Sequence, residues 1–404
     1  MIENGTYLAK THPGLEPVLK SELEHAGASY IFESEGNIRF QAADEVLYTF
    51  LLRTRVCISF ELILSQPVDV AVADVAALTK LVKWTEVIPL HSVFRVQAFH
   101  NGSTGSALRS LASELEKSIC NVFQHTFESA PKAAGDEEVA EFVVNIQISS
   151  NGSCQLMLEA GGEVLHKRGR LHESNTAVVS PAMAAGLIVL SGWDGESSFI
   201  DPFANNGSFL IEAARFAKHR TPLFEDDDLL MKKWRTFRHA LWKKKREEIV
   251  SEMRKDVDWI LGSDSNYENI SRIQYLSRLL RLNNNIKLRV AKPNTIFFPN
   301  QPGHILTAPP LETDIKLLGD FARIAKMYAS GYKMGVFSSI ANIDTIMGMK
   351  PLQAIKLHFN ERDYTFMQFD IFSGKPVPTP GKKFKPAPEP GKTGTKPSTR
   401  KPRK

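Results

Sequence analysis

Cysteine is scarce in this chain: Cys57, Cys120 and Cys154 lie far apart, and no C-x-x-C pair occurs. That scarcity argues against a disulfide framework or a zinc site and fits a reducing cytosol. His12, His100, His166 and His304 form no metal-ligand spacing, so no metal is expected. Long apolar runs are missing as well. The longest, Ala182 to Trp193, is too short for a bilayer and reads as a buried helix. The opening residues, Met1-Ile2-Glu3-Asn4-Gly5, lack the basic-then-apolar order of a signal peptide. The expectation is a cytoplasmic protein without membrane partners.

The folded body also lacks net positive charge. The formal total is +5, but residues 375–404 carry ten lysines or arginines against Glu389 alone, about +9. The remaining residues therefore sum to about −4, and any affinity of the body for nucleic acid must come from local patches. The tail is Pro, Lys, Gly and Thr with almost nothing to bury. It is expected to be disordered and either to attract phosphate without sequence preference or to act only as a solubilising extension.

What is present is a chain of 404 residues, enough for two or three domains with their own cores. Residues 6–64 alternate in a β-α-β-β-α-β order: Thr6–Lys10, a helical stripe from Leu15 to Ala26, a hairpin turning at Glu35-Gly36-Asn37, a helix from Ala43, and a strand from Arg55. That order predicts a ferredoxin-like module over 1–67. A second α/β segment, 68–164, has helical periodicity at Val70–Val82 and Gly105–Phe123 and alternating strands at Val93–Ala98, Phe142–Ile148 and Cys154–Glu159. From 165 to 374 strands and helices alternate as in a doubly wound sheet, and 375–404 is the basic tail.

The most informative stretch is Phe199-Ile200-Asp201-Pro202-Phe203-Ala204-Asn205-Asn206-Gly207-Ser208. An apolar strand ends in an acid, a tight polar turn follows, and a helix begins. In α/β sheets this arrangement holds nucleotide-like ligands at strand carboxyl ends. The helix N-terminus favours a negative group there, and Gly207 permits close backbone approach. A second strand, Trp259–Gly262, ends in Ser263-Asp264, where a carboxylate can accept ribose hydroxyls or cap the next helix. Asp201 likewise either faces a ligand or forms a strand-ending Asp-Pro turn.

The loop resembles the D-P-F-C-G-S-G-T loop of the THUMP-containing RNA methyltransferases, which bind S-adenosylmethionine (SAM). Ala9-Lys10-Thr11-His12-Pro13-Gly14-Leu15-Glu16, the junction Leu165-His166-Lys167-Arg168-Gly169-Arg170 and Gly192-Trp193 carry the resemblance over about residues 7–374. It implies a THUMP-like RNA-binding domain at 68–164 and a Rossmann-like methyltransferase domain at 165–374. The implied activity is methyl transfer to an exocyclic amine of rRNA, guanine N2 in the large subunit.

By the same resemblance Asp201, Phe203, Asn205, Gly207 and Asp264 would hold SAM, and Asn294 would accept from the adenine amine where many members carry an acid. Lys167, Arg168 and Arg170 would contact RNA. The catalytic N-P-P-Y loop is represented by Ala308-Pro309-Pro310-Leu311, so the side-chain acceptor and the stacking ring are both replaced. Asn205 and Asn206 stand where small residues are usual, adding bulk where a ligand would lie. These departures keep an alternative open, a catalytically inactive RNA-binding protein that retains the fold. A basic stripe on a helix over Met231–Asp256, with Trp234, Phe237 and Trp242 interleaved, reads either as an RNA grip or as a buried helix face. No oligomeric state follows from the residues.

Overall fold

The computed structural model describes residues 5–69, 74–100, 104–150, 152–162, 164–168, 179–223, 228–254, 257 and 259–372. Two sheets organise them. The first contains β1 (Gly5–Lys10), β2 (Ser29–Ser34), β3 (Asn37–Ala42), β4 (Ser59–Ile63), β5 (Val68–Asp69), β6 (Val93–His100), β7 (Lys132–Ala133), β8 (Phe142–Ile148) and β9 (Ser153–Glu159). Their order is β2-β3-β1-β4-β9-β8-β6-β7, with β5 on β9.

β1 to β4, with the helices Glu16–Ala26 and Asp44–Arg53, form the expected ferredoxin-like unit, whose strands pair antiparallel. The first helix stops at Gly27, whose φ of 92° is the left-handed turn glycine permits most easily. The two N-terminal segments share one sheet, because β4 pairs antiparallel with β9 through Glu61↔Glu159, Leu62↔Leu158 and Ile63↔Met157. At that seam the Glu61 and Glu159 carboxyls are juxtaposed. The Asn145 amide donates to Glu61, and Lys10 Nζ lies 2.8 Å from it. Burial first, and then the Glu61 charge, pushes the Glu159 carboxyl up to about 7.

The second sheet contains β10 (Ser198–Asp201), β11 (Ile260–Asp264), β12 (Ile286–Val290), β13 (Gly303–Thr307), β14 (Lys333–Ser338), β15 (Gln353–Phe359) and β16 (Arg362–Asp370). The order is β12-β11-β10-β13-β14-β16-β15, parallel through β14 and antiparallel at the last two strands. The chain first steps outward from β10 to β12 and then returns to the other side of β10. This reversal opens a crevice between the carboxyl ends of β10 and β13. The helix Pro181–Leu190, capped by Ser180 on the Met183 N–H, is buried along Pro181 to Ile188, as its unbroken apolar run requires.

One expectation needs correction. Met231–Asp256 is not one helix: a 3-10 turn, Leu230–Lys233, is separated from the helix His239–Ser251. On a continuous helix Trp234, Phe237 and Trp242 would spread over more than a third of the circumference. The break gathers them instead, and all three are buried. Tyr48 of the ferredoxin-like unit packs 5.1 Å from the Phe237 ring centroid and 5.4 Å from that of Trp242. Its hydroxyl accepts the Arg238 N–H at 2.9 Å. The aromatic stripe is therefore an internal joint between the two halves.

Candidate functional site

β10 ends in Asp201, and the chain turns through Pro202 to Gly207 before the helix Ser208–Ala217 begins. The turn needs two left-handed residues, Asn205 at φ 48° and Gly207 at φ 75°. Asparagine tolerates that conformation better than most side chains. At Gly207 a Cβ would also come within 2.7 Å of Ile273, so the close approach is to the neighbouring helix. The Ala204 N–H donates to Ser263 O at 3.0 Å, tying the turn to the tip of β11.

The two asparagines behave differently. Asn206 turns away from the crevice: its Nδ2 donates to Val179 O at 2.9 Å, while its Oδ1 accepts the Ser208 N–H at 3.1 Å. It thereby satisfies one of the free donors of the helix start. Asn205 stays in the crevice. Its backbone N–H donates to Asp264 Oδ2 at 2.9 Å, and its Nδ2 donates to Phe203 O at 2.7 Å and to Ala308 O at 2.8 Å. The side chain thus bridges the turn after β10 to the loop after β13.

A cavity of about 310 Å³ lies here, walled by Phe203, Asn205, Asp264 and Pro310 together with Asn266, Asn269, Glu312 and Asp314. Asp264 is 7% exposed, and its other carboxylate oxygen accepts the Asn266 N–H at 2.8 Å. Each oxygen keeps a lone pair for a further donor. The following helix is capped by Asn266, whose Oδ1 accepts the Glu268 N–H, rather than by Asp264 or Ser265. Beside the cavity wall at Pro293, the Asn294 Oδ1 is buried with no hydrogen-bond partner.

Asp201 is set apart from these groups. It is 1% exposed and is not part of the cavity wall. Its Oδ1 accepts the Thr307 hydroxyl at 2.8 Å and the Phe203 N–H at 3.2 Å. Burial pushes the carboxyl up to about 7 despite those two donors, with the nearby Asp264 charge acting in the same direction.

Of the Ala308-Pro309-Pro310-Leu311 loop, Ala308 and Pro309 are buried, Pro310 lines the cavity, and Leu311 is half-exposed. Glu312 and Asp314 were missed by the sequence reading; their position just after the loop was the available signal. Arg168 corrects the expectation of an RNA contact, because it is 1% exposed. Its guanidinium donates to Leu165 O and Cys57 O and lies 3.9 Å from Glu212. Nothing of it reaches the surface for a phosphate. The side chain of Lys167 and all of Arg170 lie outside the described residues.

An open parallel sheet with this strand order, a crevice at the reversal point and an acid at each of the first two strand tips is a Rossmann-like methyltransferase fold. Here it follows a ferredoxin-like unit. Residues 168–362 match the family model of the RMKL-like methyltransferase domain, and residues 6–57 match that of the RlmL ferredoxin-like domain. Among named relatives, the ribosomal RNA large subunit methyltransferase K/L of Buchnera aphidicola subsp. Acyrthosiphon pisum is 26% identical over 82% of this chain and 49% of its own length. The chain thus spans about half the length of the curated relatives it matches.

Two solved structures agree in fold. SMU.472, crystallised with SAH, superposes with a TM-score of 0.82 at 21% identity over 94% of this chain and 100% of its own. TrmN from Thermus thermophilus gives 0.64 at 16% identity over 91% and 100%. Among the described residues no cluster of side chains could hold a metal, and no helix is long and apolar enough to cross a membrane.

Proposed function

We propose that this chain is a SAM-dependent RNA methyltransferase acting on an exocyclic amine of large-subunit rRNA, guanine N2 by resemblance, in the cytoplasm. The observation that carries the reading is the Asp264-walled cavity at the strand reversal, within the residues that match the RMKL-like methyltransferase domain. The relatives' names support rRNA as substrate, and the SAH complex of SMU.472 supports the cofactor. Residues 68–164 would be the THUMP-like RNA-binding domain, bounded by 1–67 and 165–374. Lys167, Arg170 and the basic 375–404 tail would meet RNA phosphates without reading sequence.

The nucleoside end of the cofactor fits the residues present. Asp264 would accept the ribose hydroxyls with its spare lone pairs, and the orphaned Asn294 Oδ1 would accept from the adenine amine. Phe203, Asn205 and Gly207 would shape the turn beneath it. SAM, when bound, supplies an electrophilic methyl group. The chain's own task is to hold the amine with its lone pair toward that methyl and to exclude water. With Ala308 and Leu311 in the loop, the backbone carbonyls of Ala308 and Pro309 are the acceptors left to orient the amine, that of Ala308 already taking the Asn205 amide on one of its two lone pairs. Losing one preorganised partner commonly costs about 10²–10³ in rate, so slow turnover is expected.

Calorimetry with SAM and methyl transfer to bare large-subunit rRNA test the reading. Binding that Asp264→Ala abolishes, with measurable transfer, is the expected result. SAM binding without transfer would favour the inactive RNA-binding alternative, which the A-P-P-L loop motivates. No binding at millimolar SAM would remove the cofactor assignment.

A further inference from the structure

We propose that the Asn205 carboxamide is a built-in occupant of the amino-acid end of the cavity, so that the site discriminates against nucleosides carrying a methionyl amino group. The inference rests on the reading of the cavity as a SAM site and concerns which half of such a ligand it accepts.

The geometry begins with the carbonyls of Phe203 and Ala308. Phe203 lies two residues beyond β10 and Ala308 directly follows β13, the strand paired with it. Asn205 Nδ2 uses both of its hydrogens on the two carbonyls, at 2.7 and 2.8 Å. The amide orientation is fixed chemically, because exchanging its nitrogen and oxygen would set the oxygen against two carbonyls. An NH₂ donating to two backbone carbonyls just beyond paired strands makes the contacts an incoming ammonium would need.

The acid at the tip of β10 is withdrawn from the cavity as well. Asp201 lies outside the cavity wall, and its Oδ1 already receives Thr307 and Phe203. Its raised pKa weakens it further as a partner for a cation. The same wall includes Asp264, Ser265, Asn266 and Asn269, groups suited to hydroxyls and a base, with Glu312 and Asp314 on the loop after β13. The main chain of Asn205 is anchored by its N–H on Asp264 Oδ2. A ligand with an amino-acid arm must therefore break two hydrogen bonds and move the side chain, whereas the nucleoside alone need not.

The test titrates the full-length chain with S-adenosylhomocysteine and with 5′-methylthioadenosine, a similar nucleoside thioether without the amino acid. Wild type should bind methylthioadenosine at least as tightly as the homocysteine compound. Asn205→Gly, which suits the left-handed backbone, should tighten S-adenosylhomocysteine about tenfold or more, two ordinary hydrogen bonds being at stake. Methylthioadenosine should change by no more than about twofold, well under the 1.4 kcal/mol that a tenfold change represents. Asn205→Asp keeps size and backbone preference but cannot donate, so it should shift discrimination the same way. If the ratio of the two affinities is equal in wild type and both variants, the proposal is overturned while the cofactor reading stands. If none of the three proteins binds either compound, the cofactor reading fails and takes the proposal with it.

Discussion

Asp201 carries its carboxyl into a place with 1% exposure, where the Thr307 hydroxyl and the Phe203 N–H both meet one oxygen. These donors do not offset burial, and the value rises from 3.8 to about 7. The folded state thus holds this proton more tightly than the unfolded chain does. The stabilising contribution is fully present below about pH 4 and is lost as pH rises through about 7. Asp201→Asn removes the titration while keeping an acceptor for Thr307. It is expected to raise the melting temperature at pH 8, by up to roughly 3–4 kcal/mol of stability, and to converge with wild type near pH 4. Glu159 titrates in the same range in both proteins and cancels in the difference. Parallel melting curves displaced by the same amount at every pH would show that Asp201 does not carry the effect.

Single positions were unevenly legible in the sequence. The acids at strand tips announced themselves, because each closed an apolar run just before a turn. Asn205 and Asn206 read alike, yet a φ of 48° at the first and the Val179 carbonyl beside the second send their side chains to different partners. No spacing rule encodes that choice. Arg168 looked like a phosphate ligand because charge is visible in a sequence and burial is not.

Among the elements, the helix His239–Ser251 shows how a pattern can have the right residues and the wrong continuity. The aromatic positions are legible in the sequence, but a single helix would not gather Phe237 and Trp242 onto Tyr48 with Trp234 also buried. The break at the end of the 3-10 turn resolves the conflict. The joint should behave as core. Trp242→Ala is expected to cost about 3–5 kcal/mol, read from the urea midpoint, because it empties a buried aromatic site between the halves. A loss below about 1 kcal/mol would mean that the stripe is not a packing interface. The strands were easier to read: alternation is a local property, and every strand inferred from it in the ferredoxin-like unit lies within two to four residues of its observed ends.

For the molecule as a whole, the link between the halves passes through buried charge. Arg168 reaches Cys57 O in the ferredoxin-like unit. Arg215, on the helix that follows the turn after β10, donates to Arg168 O at 2.9 Å and to Glu212 at 2.8 Å. Arg168→Met takes one cation from a set with almost no solvent access, where breaking a pair costs about 3–5 kcal/mol. A lower denaturation midpoint is expected, with the salt dependence of the proposed RNA binding unchanged in the folded protein. A slope reduced by about one would restore Arg168 as a phosphate contact.

The seam between β4 and β9 has a consequence for the order in which the chain can be made. During synthesis β4 leaves the ribosome long before residues 153–159 that pair with it, so the newborn ferredoxin-like unit carries an open strand edge. Until that partner emerges, the edge is free to join other chains, and the N-terminal half reaches its mature form only as a delayed, long-range closure.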